Sequence, residues 1–170
     1  MRAVEEAKVL DVGSLSTNLD GSGVRWRLVF TSSSADLEKL RKAGTGSGQY
    51  FPITAVQSWS SAGSIRNGVH LGHWAALQFD GPFRLAGKRL QFDFSKLSLK
   101  LFGLRAAFQL KPATCTLPAN GTKEGGALPF FLFAYADGEL VVARGRSGGI
   151  ALWAKAQPSW LLESGALPLE

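Results

Sequence analysis

Gly145-Arg146-Ser147-Gly148-Gly149 has the G-x-S-x-G spacing that presents a serine nucleophile in α/β hydrolases. That chemistry needs a strand before the serine, a helix after it, and an acid and a histidine farther along the chain. Here a strand-like run, Ile150 to Ala156, follows instead, and no histidine occurs after His73. The segment therefore reads as a tight hairpin turn in which glycine supplies positive φ. His70 and His73 stand at H-x-x-H spacing, but on a strand that spacing points them to opposite faces, and the nearest acid is Asp80. No metal site is expected. Gly44-Thr-Gly-Ser-Gly48 echoes a dinucleotide-binding fingerprint, yet a strand-like stretch follows where a helix must start. The 13 acids are scattered, with no carboxylate pair set for glycoside or proton chemistry. No catalytic residue is assigned, and no enzymatic activity is expected.

Elements able to position any of these groups must come from a single domain, since 170 residues leave little room for a second. Cys115 is the only cysteine, which excludes an internal disulfide and a cysteine-rich zinc site. Asn120-Gly121-Thr122 is accordingly a chance sequon, because nothing points to a secretory route. Met1 to Leu10 carries Glu5 and Glu6 and no apolar core of a targeting peptide. The longest apolar run, Gly125 to Ala136, is 12 residues and too short to span a bilayer as a helix.

Lysine and arginine outnumber the acids 19 to 13, and the excess is local. From Arg84 to Lys111 lie Arg84, Lys88, Arg89, Lys96, Lys100, Arg105 and Lys111 against Asp93 alone, a surplus equal to the whole net charge of +6. Such a window suits an anionic membrane or an acidic partner protein, or is a solvated flank that keeps the chain soluble. Nucleic acid is not expected: helix-turn-helix, zinc-finger and RNP patterns are missing, and the interleaved aromatics alternate in the phase of core residues.

Residues 25–32 alternate around Trp26, Leu28 and Phe30, the period of a half-buried strand. Ser33 or Ser34 caps a short helix over 35–42. Short strands follow at 50–59, 64–71, 73–80, 83–86 and 88–94, punctuated by Gly63, Gly68, Gly72, Gly81-Pro82 and Gly87. Further strands are expected at 130–136, 139–144 and 150–156. Many short strands at about ten-residue spacing define a barrel or sandwich.

Residues 96–111 fit two templates. As strands, Leu97, Leu99 and Leu101 share a face; as a helix, Leu97, Leu101, Leu104 and Phe108 form a stripe flanked by lysines, the pattern of an interfacial membrane helix. Gly103 inside a helix costs about 1 kcal/mol, which favours strand and loop.

Two stretches carry a more specific signal. One is Trp26-Arg-Leu-Val-Phe-Thr-Ser32; the other runs from Phe133 through Tyr135, Asp137-Gly-Glu139, Arg144-Gly145 and Gly148-Gly149 to Trp153. With Ser64-Ile65-Arg66-Asn67-Gly68-Val69 between them, these resemble the plastid lipid-associated protein (fibrillin) family. The resemblance covers about residues 24 to 155. The middle, Lys96 to Gly126, departs from the family pattern, and the helical segment before the first strand is short.

The resemblance implies a mainly β fold: a lipocalin-like antiparallel β-barrel with one or two short helices. Residues 24–156 would form the barrel, between an N-terminal extension (1–23) and a C-terminal tail (157–170). It further implies a non-enzymatic plastid protein at thylakoids, plastoglobules or in the stroma. No cofactor is obligatory; bound lipid, prenylquinone, carotenoid or chlorophyll is the expected cargo. Trp26, Leu28, Phe30, Ile65, Phe92, Phe94, Phe131, Phe133 and Tyr135 are placed on inward faces, either lining a pocket or filling the core completely. Asn67, Asp137, Arg144 and Gly145 are the polar and turn residues of the signature. By analogy with lipocalins, Arg144 would lie over Trp26 and close the barrel base. Asp137 would orient a headgroup or make an Asp-Gly turn. The basic window would dock the barrel on a thylakoid or plastoglobule surface. In the alternative reading the barrel is a docking module, an accessory or linker subunit of a photosystem or antenna complex.

Overall fold

A computed structural model describes residues 24–43, 49–50, 53–60, 62–112, 117–118, 122–123, 126–167 and 169. The Gly44–Gly48 loop, Cys115 and Asn120 lie outside them.

The strands are β1 (Trp26–Ser32), β2 (Gln49–Tyr50), β3 (Thr54–Trp59), β4 (Ser64–Leu71), β5 (Ala75–Ala86), β6 (Arg89–Phe92), β7 (Lys96–Leu101), β8 (Leu104–Gln109), β9 (Thr122–Lys123), β10 (Gly126–Ala127), β11 (Phe130–Ala136), β12 (Leu140–Gly145) and β13 (Ile150–Lys155). Among the described residues two short helices accompany them, α1 (Ser34–Ala43) and α2 (Pro158–Glu163). The main sheet runs β4-β3-β1-β13-β12-β11-β6-β5, and β5 pairs back with β4. The result is a closed eight-stranded antiparallel barrel, as expected from the sequence. Closure leaves no free edge within the wall.

Antiparallel pairing sorts the connections onto two rims. One rim, the upper here, holds the end of β1 and the β4–β5, β7–β8 and β12–β13 turns. The lower rim holds the β3–β4, β5–β6 and β11–β12 turns. Ser33 caps α1 as expected: the Asp36 N–H donates to Ser33 Oγ at 3.1 Å.

Residues 96–111 form a β-hairpin, so the strand template holds. Leu77 and its neighbours on β5 pair with β7, which pairs with β8, extending the sheet beyond the barrel wall. Phe102 (φ 49°) and Gly103 (φ 86°) make the two-residue turn, both with positive φ as a type I′ turn demands. Gly81-Pro82, expected to separate two strands, instead lies inside the single strand β5. The corner at Asp93-Phe94 between β6 and β7 packs so closely that a Cβ on Gly81 would fall on the Asp93 carbonyl oxygen. Glycine here serves a close backbone approach and not a break.

The core is aromatic. Trp59 lies 6.4 Å from Trp26, 6.1 Å from Trp153 and 5.9 Å from Phe133, ring to ring. Trp26 and Trp59 belong to the lower half, beside the β3–β4 turn, and plug that end. Each such ring contributes about 1.5–3 kcal/mol by burial, and tilted or edge contacts add about 0.5–1.5 kcal/mol per pair. The C-terminal residues fold back over the outside of the sheet. Arg25 donates to the Ala166 carbonyl (2.9 Å), Gln78 accepts from the Leu169 N–H (2.9 Å), and Arg27 stacks over Trp160 (5.3 Å).

Candidate functional site

Cross-strand register decides which side chains reach the barrel interior. Trp26 pairs with Gln57, Gln57 with Asn67, and Asn67 with Phe79, so these four form one level across β1, β3, β4 and β5. Trp59 and Ile65 share the level below. Of the nine residues expected inside, Trp26, Ile65, Phe92 and Phe133 are buried in the core, and Leu28, Phe94 and Phe131 pack against it.

Phe30 and Tyr135 are corrections. A β-bulge after Leu28 makes Phe30 pair with Leu152, which neighbours the inward Trp153 and so faces out. A second bulge after Phe133 turns Tyr135 outward beside Val142 and sends Ala136 into the core. Each bulge inserts one residue and reverses the alternation beyond it. Tyr135 instead donates its hydroxyl to Asp137 at 2.6 Å. That bond raises the tyrosine pKa above its ordinary value. Burial pushes the Asp137 carboxyl up, but hydrogen bonds from Tyr135 and from the Glu139 and Leu140 N–H groups outweigh it and hold the pKa below its usual range. Asp137 is thus the turn residue of β11–β12, and its carboxylate is occupied by that turn.

Arg144 is a further correction. It pairs with Ile150 and Trp26 with Lys155, at opposite ends of β13, and Arg144 neighbours the inward Ala143 and so faces out. The lipocalin-type contact between them is not made. Gly145 ends β12, and its N–H donates to the Gly149 carbonyl at 2.9 Å across the expected glycine turn. Ser147 lies in that turn.

Above the tryptophan plug the barrel holds a cavity of about 290 Å³. Leu28, Ala55, Val69, Phe131, Ala151 and Trp153 supply its apolar wall, and Gln57 and Asn67 its polar side chains. Among the described residues no charged one lines it. Gln57 is 5% exposed. Among the described residues, Gln57 Nε2, Asn67 Oδ1 and the indole nitrogens of Trp26 and Trp59 are buried without a hydrogen-bond partner. Sequence reasoning singled out Asn67 and missed Gln57. The alternation Ala55, Gln57, Trp59 places the glutamine on the inward face once Trp59 is known to point inward.

The basic window divides. Arg84 donates to Gln91 (3.0 Å) and Pro118 (3.3 Å), Arg89 stacks over Phe130 (4.1 Å), and Lys111 is ion-paired with Asp93. Lys88 sits in the lower β5–β6 turn. Lys96, Lys100 and Arg105 share one face of the β7–β8 hairpin, and Lys100 pairs with Arg105 one residue behind the tip pair Leu101 and Leu104. The tip itself is apolar: Phe102 is 72% exposed, Leu104 78%, and Trp74, on the adjacent β4–β5 turn, 68%. Trp74 and Phe102 make an edge contact at 6.2 Å.

His70 is buried on β4 and His73 exposed in the turn beyond it, so the two do not converge. Burial, with Arg25 and Lys100 nearby, lowers the His70 pKa to about 4. No group of three or more histidine, cysteine or acidic side chains converges on a metal position among the described residues, and no helix among them is long and apolar enough to cross a membrane. No protein-family model, no curated protein and no solved structure matches this chain.

Proposed function

We propose that this chain is a non-catalytic carrier of a small apolar molecule, which it holds inside the barrel while docked on an anionic lipid surface. The observation that carries the reading is the cavity of about 290 Å³, walled by apolar side chains above an aromatic plug. Interiors pack at close to crystal density unless something is accommodated, and small-molecule sites are concave, mostly apolar and few per protein. The cavity's volume equals that of about ten waters at about 30 Å³ each. That size favours an acyl chain or the ring of a prenylquinone; a whole C40 carotenoid or a chlorophyll exceeds it.

Docking is supported by the upper rim. Leu71, Trp74, Leu101, Phe102 and Leu104 present exposed apolar surface on two adjacent turns, with Lys100 and Arg105 just behind. Aromatic tips seated at an interface with cations at headgroup level are the arrangement such surfaces favour. The same rim bounds the cavity half of the barrel, so cargo would exchange directly with the bilayer. A plastid setting, at thylakoids or plastoglobules, follows from the resemblance of the two end motifs to the fibrillin family.

The direct test uses Trp153, which lines the cavity. Decylplastoquinol should quench the tryptophan emission of the chain saturably at one equivalent, and linear, non-saturating quenching refutes the carrier. The second reading, a docking module in a pigment–protein complex, is favoured by β8, the last strand of the sheet path, with all six residues exposed. Comigration with such a complex in mild detergent, with no ligand bound, would select it.

A further inference from the structure

Among the described residues five side-chain polar atoms are buried without partners, and the four that face the barrel interior need an explanation, because such groups are normally hydrogen-bonded. Two of them belong to side chains that line the cavity, and those two are direct cross-strand partners: Gln57 on β3 and Asn67 on β4. One offers an N–H donor, the other a carbonyl acceptor. We infer that the barrel takes a neutral ligand whose polar end is a hydroxyl, seated between Gln57 and Asn67, and that it prefers alcohols, phenols and quinols to ethers and quinones of the same shape. This rests on the carrier reading and names its ligand class.

Neighbouring strands lie about 4.8 Å apart, and hydrogen bonds to a hydroxyl span about 2.7–3.0 Å. A single oxygen between the two side chains therefore reaches both. A hydroxyl accepts from Gln57 Nε2 and donates to Asn67 Oδ1, using both of its capacities. An ether or a quinone carbonyl accepts only, and leaves Asn67 Oδ1 bare in an apolar cavity. An ionised carboxylate has the same defect and meets no cation among the described lining residues. The row continues on the same level to Trp26, whose indole N–H is a second donor deeper in the core.

The probes are 4-hexylphenol and its methyl ether, 4-hexylanisole, titrated calorimetrically into the full chain. The phenol should bind at least about tenfold more tightly, the scale set by leaving one buried acceptor unpaired. In Asn67→Val the difference between the phenol and the anisole should vanish, because the acceptor that separates them is gone. Equal affinities in the unaltered chain would overturn the hydroxyl site and leave the carrier standing, since both probes would then be bound by the apolar wall alone. If neither binds, the carrier reading falls as well. The comparison of two ligands on one protein keeps the test decisive even if the variant folds poorly.

Discussion

Ala151→Leu puts the cavity itself to the test. Ala151 lines the cavity, facing inward between its cross-strand partners Thr31 on β1 and Ala143 on β12. Three added carbons occupy about 80 Å³, and at about 24 cal/mol per Å³ of cavity removed the gain is about 2 kcal/mol. That volume is less than a third of the about 290 Å³ present, so the leucine has room to choose a relaxed rotamer. For a domain of this size, about 2 kcal/mol corresponds to a rise in Tm of about 4–8 °C. Differential scanning calorimetry of the ligand-free protein reads the shift, and the same sample should bind 4-hexylphenol more weakly because its space is taken. A fall in Tm of similar size would refute the reasoning. It would mean that the site is already filled, since overpacking a dense core costs about 1–3 kcal/mol.

His70 supplies a pH prediction. Its folded pKa of about 4 lies below the ordinary 6.5, so the unfolded chain takes up a proton first as pH falls. Stability is therefore full above pH 6.5 and declines as pH drops toward 4, by as much as about 3 kcal/mol. Urea midpoints at pH 7.5 and 5.0 should differ more in the unaltered chain than in His70→Gln; equal differences would show that His70 does not titrate in this way. At the hairpin tip, Phe102 holds φ 49°, a strained conformation for an aromatic residue at a cost of about 1 kcal/mol. Phe102→Asn, the residue a type I′ turn prefers, should raise stability by about 1 kcal/mol while reducing flotation with phosphatidylglycerol vesicles. Unchanged flotation would separate the tip from membrane docking.

The fold was readable because its signals are local. Alternation around Trp26 and Leu28, the Asp137-Gly138 turn and the glycine run at 145–149 all reappear as strands and turns at their expected places. Burial of an individual side chain was less readable, because alternation survives only until the first bulge. One inserted residue reversed Phe30 and another Tyr135, and neither bulge carries a glycine to announce it. Gly81-Pro82 misled for a related reason: the demand for glycine comes from Asp93 in the corner between β6 and β7, a contact invisible to local reading. Helix α2 went unnoticed in the expected tail, being a single Pro-initiated turn and a half. The polar row across Trp26, Gln57 and Asn67 needs three strands in register before it exists at all. The basic window was legible as charge but not as surface, since Arg84, Arg89 and Lys111 are engaged within the molecule, while Lys100 and Arg105 lie one residue behind an apolar tip.

Native mass spectrometry of the protein isolated from its source, followed by solvent extraction, tests the central claim most directly. The account predicts one small neutral molecule per chain, released on denaturation, with an apolar body and a hydroxyl head. A bare polypeptide mass from freshly isolated material, with the chain recovered in a large membrane complex, would contradict it.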